Sequence, residues 1–144
     1  VREYLDVCAD QDLAVCPYSP LAGGFLTGKY ERVGDGTYDL DVPDDSRAQF
    51  DDRFMNFYVS KRGWYVLDAL RDIAEEADAT PSQVALRWLI DQPDFTCVPI
   101  VGARTVDQLD ENLDVIDVSI THEQFERILD ARYDEEGDLY KTNS

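Results

Sequence analysis

Apolar positions recur at helical spacing in several stretches and as short unbroken runs in two, and this sets the expected order of elements. Residues 1–11 carry helical spacing through Tyr4, Leu5 and Cys8. The run LAVCPY at 13–18 predicts a short buried strand, ended by Ser19-Pro20. Leu67, Leu70, Ala74 and Ala77 form one stripe and predict a helix over about 61–79. Thr80-Pro81-Ser82-Gln83 is a capping box with proline at the first helical position, and the helix it opens has an apolar face of Val84, Ala85, Trp88 and Leu89. TCVPIV at 96–101 predicts a second short buried strand, ended by Gly102. Thr105-Val106-Asp107-Gln108 and Thr121-His122-Glu123-Gln124 repeat the capping pattern and predict helices reaching Leu113 and Ala131.

Helix, strand, helices, strand, helices is an α/β order with parallel strands. Two parallel strands are too few for a free-standing sheet, because they leave two open edges and parallel sheets are covered on both faces. The pattern therefore predicts part of a sheet. Residues 19–50 hold Gly23, Gly24, Gly28, Gly34 and Gly36 among many aspartates. That is too long for a passive connection and predicts a functional loop. Residues 1–133 are expected to form the folded unit, and 134–144 a polar, disordered tail.

Composition narrows the function. The 144 residues carry a formal charge of −18, which repels phosphate backbones and argues against nucleic-acid binding. No apolar run approaches the ~20 residues that cross a bilayer, so no membrane span is expected. Cys8, Cys16 and Cys97 form no CxxC pair, which argues against a disulfide scaffold or a metal site and for a reducing cytoplasm. Aspartate outnumbers glutamate 22 to 9, and there are three lysines against ten arginines. This predicts a surface suited to concentrated salt, where screening shortens to ~3 Å at 1 M.

Two loops carry candidate chemistry. Tyr18-Ser19-Pro20-Leu21-Ala22-Gly23-Gly24-Phe25-Leu26-Thr27-Gly28-Lys29-Tyr30 places a polar turn, two glycines that expose backbone N–H groups and a cation after a strand end. Such a loop can cradle a diphosphate, although a glycine-rich turn with a surface lysine reads the same way. Val98-Pro99-Ile100-Val101-Gly102-Ala103-Arg104 brings a glycine and an arginine to a capped helix N-terminus, a second anion site. On that helix Gln108, Glu111 and Asn112 share one face. The lone histidine, His122, lies in a capping pattern and is expected at the surface.

Together these segments resemble the cofactor half of the aldo/keto reductase superfamily, closest to the branch that includes potassium-channel beta subunits. The resemblance runs from Val1 to about Ala131. It implies the C-terminal part of a (β/α)8 TIM barrel, with LAVCPY as strand 7, TCVPIV as strand 8 and the barrel incomplete; phosphate sites of such barrels follow strands 7 and 8. The implied cofactor is NADP(H). Tyr18 would lie against the nicotinamide; Ser19, Leu21 and Gly23, with Pro20 in the same turn, would meet the diphosphate and ribose. Lys29 would reach phosphate oxygens, and Arg47, in Ser46-Arg47-Ala48, would fold over the cofactor. Gly102 and Arg104 would flank the adenosine ribose, Gln108 its 2′-phosphate, and Glu111 and Asn112 the adenine. Many relatives have Lys or Arg at the positions of Gly102 and Gln108, so NADP preference here leans on Arg104, Lys29 and Arg47. Asp45 replaces an aromatic of the channel-subunit branch.

The family's catalytic tyrosine, with its supporting lysine, aspartate and histidine, belongs to the first half of the barrel, and no tyrosine motif here matches it. The resemblance thus implies an NADP(H)-dependent carbonyl reductase, acting on an aldehyde or ketone in a complete barrel, with this chain its cofactor-binding C-terminal fragment and inactive alone. The missing initiator Met, the uncapped first helix and a barrel's need for ~250 residues agree with that expectation. Two alternatives are a non-catalytic NADP(H)-binding or regulatory module and a truncated product without function. The substrate and the oligomeric state are left open.

Overall fold

The computed structural model describes residues 2–34, 40–41 and 58–131. Helix α1 (Arg2–Asp10) comes first, and the chain reverses after it through Asp12, whose φ of 52° lies in the left-handed region. The backbone then extends and pairs in parallel with residues 96–100, Val15 opposite Cys97 and Tyr18 opposite Ile100. Val15 N–H donates to Thr96 O at 2.8 Å, Val98 N–H to Val15 O at 2.8 Å, and Ile100 N–H to Pro17 O at 3.0 Å. The two predicted strands thus meet side by side in parallel, as isolated bridges.

The expectation that both are buried is corrected. Cys97 is buried, but Leu13, Val98 and Ile100 are about half exposed, and Tyr18 is 82% exposed. The reason is the one that limits parallel pairs in general: such strands are buried by further strands at their edges and by cover on both faces. Among the described residues this pair has neither on its open side. No closed barrel is formed among the described residues.

A 3-10 turn (Ala22–Thr27) follows, and then a short antiparallel ribbon of β1 (Glu31–Arg32) and β2 (Leu40–Asp41), Glu31 facing Asp41 and Arg32 facing Leu40. Neither was expected within the glycine-rich stretch. Helix α2 (Lys61–Glu76) is capped by Ser60, whose hydroxyl accepts from Gly63 N–H at 3.0 Å. It ends three residues short of the predicted boundary because Asp78 adopts a left-handed φ of 51° and Ala79 N–H closes onto Ala74 O. Aspartate is one of the few residues that visit this region readily. Helix α3 (Pro81–Ile90) carries the full capping box predicted from Thr80 and Gln83. Helix α4 (Val106–Leu113) runs into a 3-10 turn (Asp114–Asp117), and α5 (His122–Ala131) is capped reciprocally by Thr121 and Gln124. His122 is the exposed first residue of α5.

Helix α2 is the spine of the core. Its first half joins Trp64 and Leu67 to Phe25, Tyr30 and Val59, with the Phe25 and Trp64 rings 5.0 Å apart, edge to face. Its second half packs Leu70, Ile73 and Ala74 against Val84 and Ala85 of α3 and Ile128 of α5. Fully burying side chains of this size stabilises by about 1.5–3 kcal/mol each, so the α2 stripe is the main local source of stability. Trp88 stacks on Phe125 at 5.3 Å and donates its indole N–H to Phe125 O, fixing α5 across α3. Arg71 turns the other way. Its guanidinium donates to Gly28 O at 3.1 Å and Tyr30 O at 2.7 Å and pairs with Glu31, so α2 grips the backbone on either side of Lys29.

Candidate functional site

The parallel pairing of Tyr18 with Ile100 means that both candidate loops leave from the same end of the strand pair. From that end the first loop turns at once. Ser19 has φ 53°, Ala22 φ 51°, Gly23 φ 66° and Gly24 φ 97°, a run of left-handed residues that coils the backbone tightly. Ala22 N–H donates to Ser19 O, and Gly24 N–H to Leu21 O, both at 2.9 Å. The expectation that both glycines present free N–H groups is therefore corrected: the amide of Gly24 is used to hold the turn. What faces outward is charge. A Cβ at Gly24 would lie 3.4 Å from Lys29 Nζ, so glycine leaves the space in which the ammonium sits over the loop. Lys29 also lies over the Tyr30 ring, with Nζ 5.1 Å from its centroid.

The second loop, residues 101–105, is exposed throughout. A Cβ at Gly102 would meet nothing within 4 Å, so no packing demand explains the glycine. Arg104 N–H donates to Gln108 Oε1 at 2.9 Å, and Gln108 N–H donates to Thr105 Oγ1 at 3.2 Å. The cap of α4 thereby holds the Gln108 amide beside Arg104, with its carbonyl end inward. The shared face of Gln108, Glu111 and Asn112 grades from exposed through half-buried to buried, Asn112 being 8% exposed. Asn112 is thus less open than a solvated helix face predicts. Ser19, Pro20, Leu21 and Gly23 are half-buried in the first loop. Ser46, Arg47 and Asp45 lie outside the described residues, as does nearly all of the segment after Asp41.

The residues that sequence reasoning passed over lie at the start of α3. Thr80 Oγ1 donates to Glu111 Oε1 at 2.9 Å while accepting from Gln83 N–H at 3.2 Å. Gln83 Nε2 donates to Glu111 O at 3.0 Å, and Gln83 Oε1 accepts from Thr80 N–H. Next to Thr80, Pro81 packs under the first loop, since a Cβ at Gly28 would come within 3.1 Å of Pro81 Cγ. The α3 N-terminus therefore touches both the first loop and helix α4, which follows the second. The capping box was visible in the sequence, but its second use was not, because Glu111 is 31 residues away from Thr80.

The aldo/keto reductase family pattern matches residues 1–132. The chain belongs to the aldo/keto reductase family. It is 29% identical to "Probable aldo-keto reductase 1" of Glycine max, over 90% of this chain and 35% of that protein. It is 30% identical to "Probable voltage-gated potassium channel subunit beta" of Arabidopsis thaliana, over 81% of this chain and 34% of that one. It is 29% identical to the aldo-keto reductase yakc of Schizosaccharomyces pombe, named with NADP(+), over 88% of this chain and 35% of that one. The chain spans about a third of the length of these relatives. The family implies an α/β barrel fold; among the described residues this aldo/keto reductase chain is mostly helical, with one parallel strand pairing.

Burial, and then the neighbouring Cys16, push the Cys97 thiol up, away from a reactive thiolate. Among the described residues no helix is long and apolar enough to cross a membrane, and no group of three or more His, Cys, Asp or Glu could hold a metal ion.

Proposed function

We propose that this chain is the cofactor-binding part of an NADP(H)-dependent oxidoreductase that reduces aldehydes or ketones by hydride transfer, and that it corresponds to strands 7 and 8 of the barrel with their helices. The observation that carries the reading is the Tyr18–Ile100 pairing, which sends two cation-bearing loops from one end of a parallel strand pair. In a (β/α)8 barrel the loops after strands 7 and 8 are where phosphate binds.

The residues present fit a dinucleotide phosphate. Lys29, seated over Gly24 and flanked by the Gly28 and Tyr30 carbonyls that Arg71 holds, supplies positive charge to the diphosphate. Exposed Tyr18 offers a ring face to the nicotinamide, and Ser19, Pro20, Leu21 and Gly23 form the turn beneath the diphosphate and its ribose. Arg104 and the amide hydrogens of Gln108 meet the 2′-phosphate, beside the open position at Gly102. Glu111 would accept from the adenine amino group, with Asn112 next to it in sequence, and Arg47, outside the described residues, is assigned to the cofactor by the resemblance alone. The bound nicotinamide supplies the hydride. The proton for the carbonyl oxygen comes from a tyrosine outside these residues, so the isolated chain binds cofactor without turnover.

Titration of the purified chain with NADPH and NADH, followed by nicotinamide fluorescence, tests this. The expected result is saturable binding with NADPH preferred. Arg104→Gln should cut NADPH affinity by about tenfold or more and leave NADH nearly unchanged, since one charged hydrogen bond is worth about 1.5–3 kcal/mol. Lys29→Gln should weaken both through the diphosphate they share, and NADPH the more, since part of the preference leans on this cation. Equal affinity for the two cofactors in the unmodified chain would sink the 2′-phosphate assignment, and reduction of 4-nitrobenzaldehyde by this chain alone would sink the placement of the proton donor elsewhere. A second reading, a non-catalytic NADP(H)-binding or regulatory module, draws on the likeness to the protein named as a potassium channel subunit. It predicts the same binding and no turnover in any assembly.

A further inference from the structure

We propose that Thr80 is the positioning residue for adenine recognition, orienting the carboxylate of Glu111 through its hydroxyl. The inference rests on the reading that Glu111 meets the adenine, and goes beyond it by naming what aims that carboxylate.

A glutamate on a short helix has three side-chain torsions to settle, and an unrestrained carboxylate would sample several directions. Here two bonds from the α3 N-terminus restrain it. Thr80 Oγ1 donates to Oε1 at 2.9 Å, and Gln83 Nε2 holds the Glu111 backbone carbonyl at 3.0 Å. The hydroxyl proton has one use. Thr80 Oγ1 accepts from Gln83 N–H as the cap, so its single hydrogen is directed to Glu111. A carboxylate accepts at both oxygens, so the bond at Oε1 narrows the directions in which Oε2 is presented and leaves it able to accept. That is the requirement for reading an amino group at the edge of a purine: an acceptor of fixed direction rather than a mobile negative charge. The same helix end is packed against Gly28 through Pro81, so the acceptor is also held at a set distance from the loop that carries Lys29. Thr80 therefore ties the base-reading group to the phosphate-binding loop.

The experiment compares NADPH with its deamino analogue, nicotinamide hypoxanthine dinucleotide phosphate, which carries an oxygen in place of the adenine amino group. The ratio of the two dissociation constants is measured on the full chain by fluorescence titration, with the melting temperature recorded in parallel. Unmodified protein should prefer NADPH by about tenfold or more, the value of one charge-assisted hydrogen bond. Thr80→Asp retains an acceptor for the Gln83 N–H cap but sets a second carboxylate, in place of a donor, against Glu111, so the ratio should fall to about twofold or less, with the like-charge contact lowering the melting temperature. Thr80→Ser retains both bonds and should keep the ratio.

A Thr80→Asp protein that still discriminates as the unmodified one does overturns the inference while leaving Glu111 at the adenine. An unmodified protein that binds both dinucleotides equally overturns it together with the adenine placement. Should Thr80→Asp not fold, uncharged Thr80→Val is read in the same way: a lost preference supports the positioning role and a retained one overturns it.

Discussion

Gly63 shows how a single contact reverses the sign of a general rule. It sits in the first turn of α2, where alanine would ordinarily favour the helix by about 1 kcal/mol over glycine. A Cβ there would lie 2.3 Å from Tyr58 O, 3.1 Å from Phe25 Cε1 and 3.3 Å from Ser60 Oγ. The nearest atom is backbone and cannot rotate away, and the other two belong to the aromatic cluster and to the helix cap. Gly63→Ala is therefore expected to destabilise by about 1–3 kcal/mol, the usual cost of overpacking. Urea denaturation reads it, and a midpoint unchanged or raised would show that the cap region yields freely. The position could not be recognised in the sequence, where Gly63 is an unremarkable residue between Arg62 and Trp64. The left-handed Ser19 and Ala22 were equally hidden, because nothing in their side chains favours that region. The candidate loops themselves were legible because glycines and cations follow apolar runs, a chemical pattern rather than a conformational one.

Helices were more legible than the links between them. Reciprocal capping by Thr80 with Gln83 and by Thr121 with Gln124 is present as the spacing predicts, since a cap depends on residues three apart. At Thr105 the glutamine three residues on turns instead to Arg104 N–H, one residue earlier. What fastens α5 to α2 lies far apart in the chain. Glu76 accepts from Gln124 Nε2 at 2.9 Å and from Arg127 Nη1 at 2.6 Å. These hydrogen bonds, Gln124 first and Arg127 next, hold the Glu76 carboxyl below the usual carboxylate range despite some desolvation. A carboxyl whose pKa is lowered on folding contributes stability above its unfolded value of about 4.3, and the contribution is lost as pH falls through the folded value. Glu76→Gln should accordingly melt below the unmodified protein near neutral pH, and the gap should close as pH falls below the unfolded value and on through the lowered folded one. Both melts need the same moderate ionic strength, since salt screens a solvent-exposed pair. A gap independent of pH would mean that the link is packing rather than charge.

The molecule as a whole combines a −18 charge with apolar side chains left in the open, and these two properties make different demands on salt. Val98 and Ile100 on the strand pair, and Val106, Leu109, Leu113 and Ile116 along α4 and its 3-10 extension, are all exposed. The apolar composition of the two runs predicts a covered sheet, but composition does not report which neighbours a strand meets, and these side chains stand open. Self-repulsion among 31 acidic and 13 basic groups should weaken the fold at low ionic strength. Screening shortens from ~10 Å at 0.1 M to ~3 Å at 1 M and changes little beyond, so an electrostatic benefit should raise the melting temperature steeply to about 1 M KCl and then level off. Exclusion of salt from apolar surface behaves otherwise: it grows with concentration and is stronger for sulfate than for chloride. Melting curves in KCl and in potassium sulfate at matched ionic strength separate the two causes. Coinciding curves that flatten near 1 M would assign the aspartate-rich surface to charge screening. A rise that continues in both salts and is steeper in sulfate would assign the salt response to apolar surface buried on folding, and the excess of aspartate would then need another explanation.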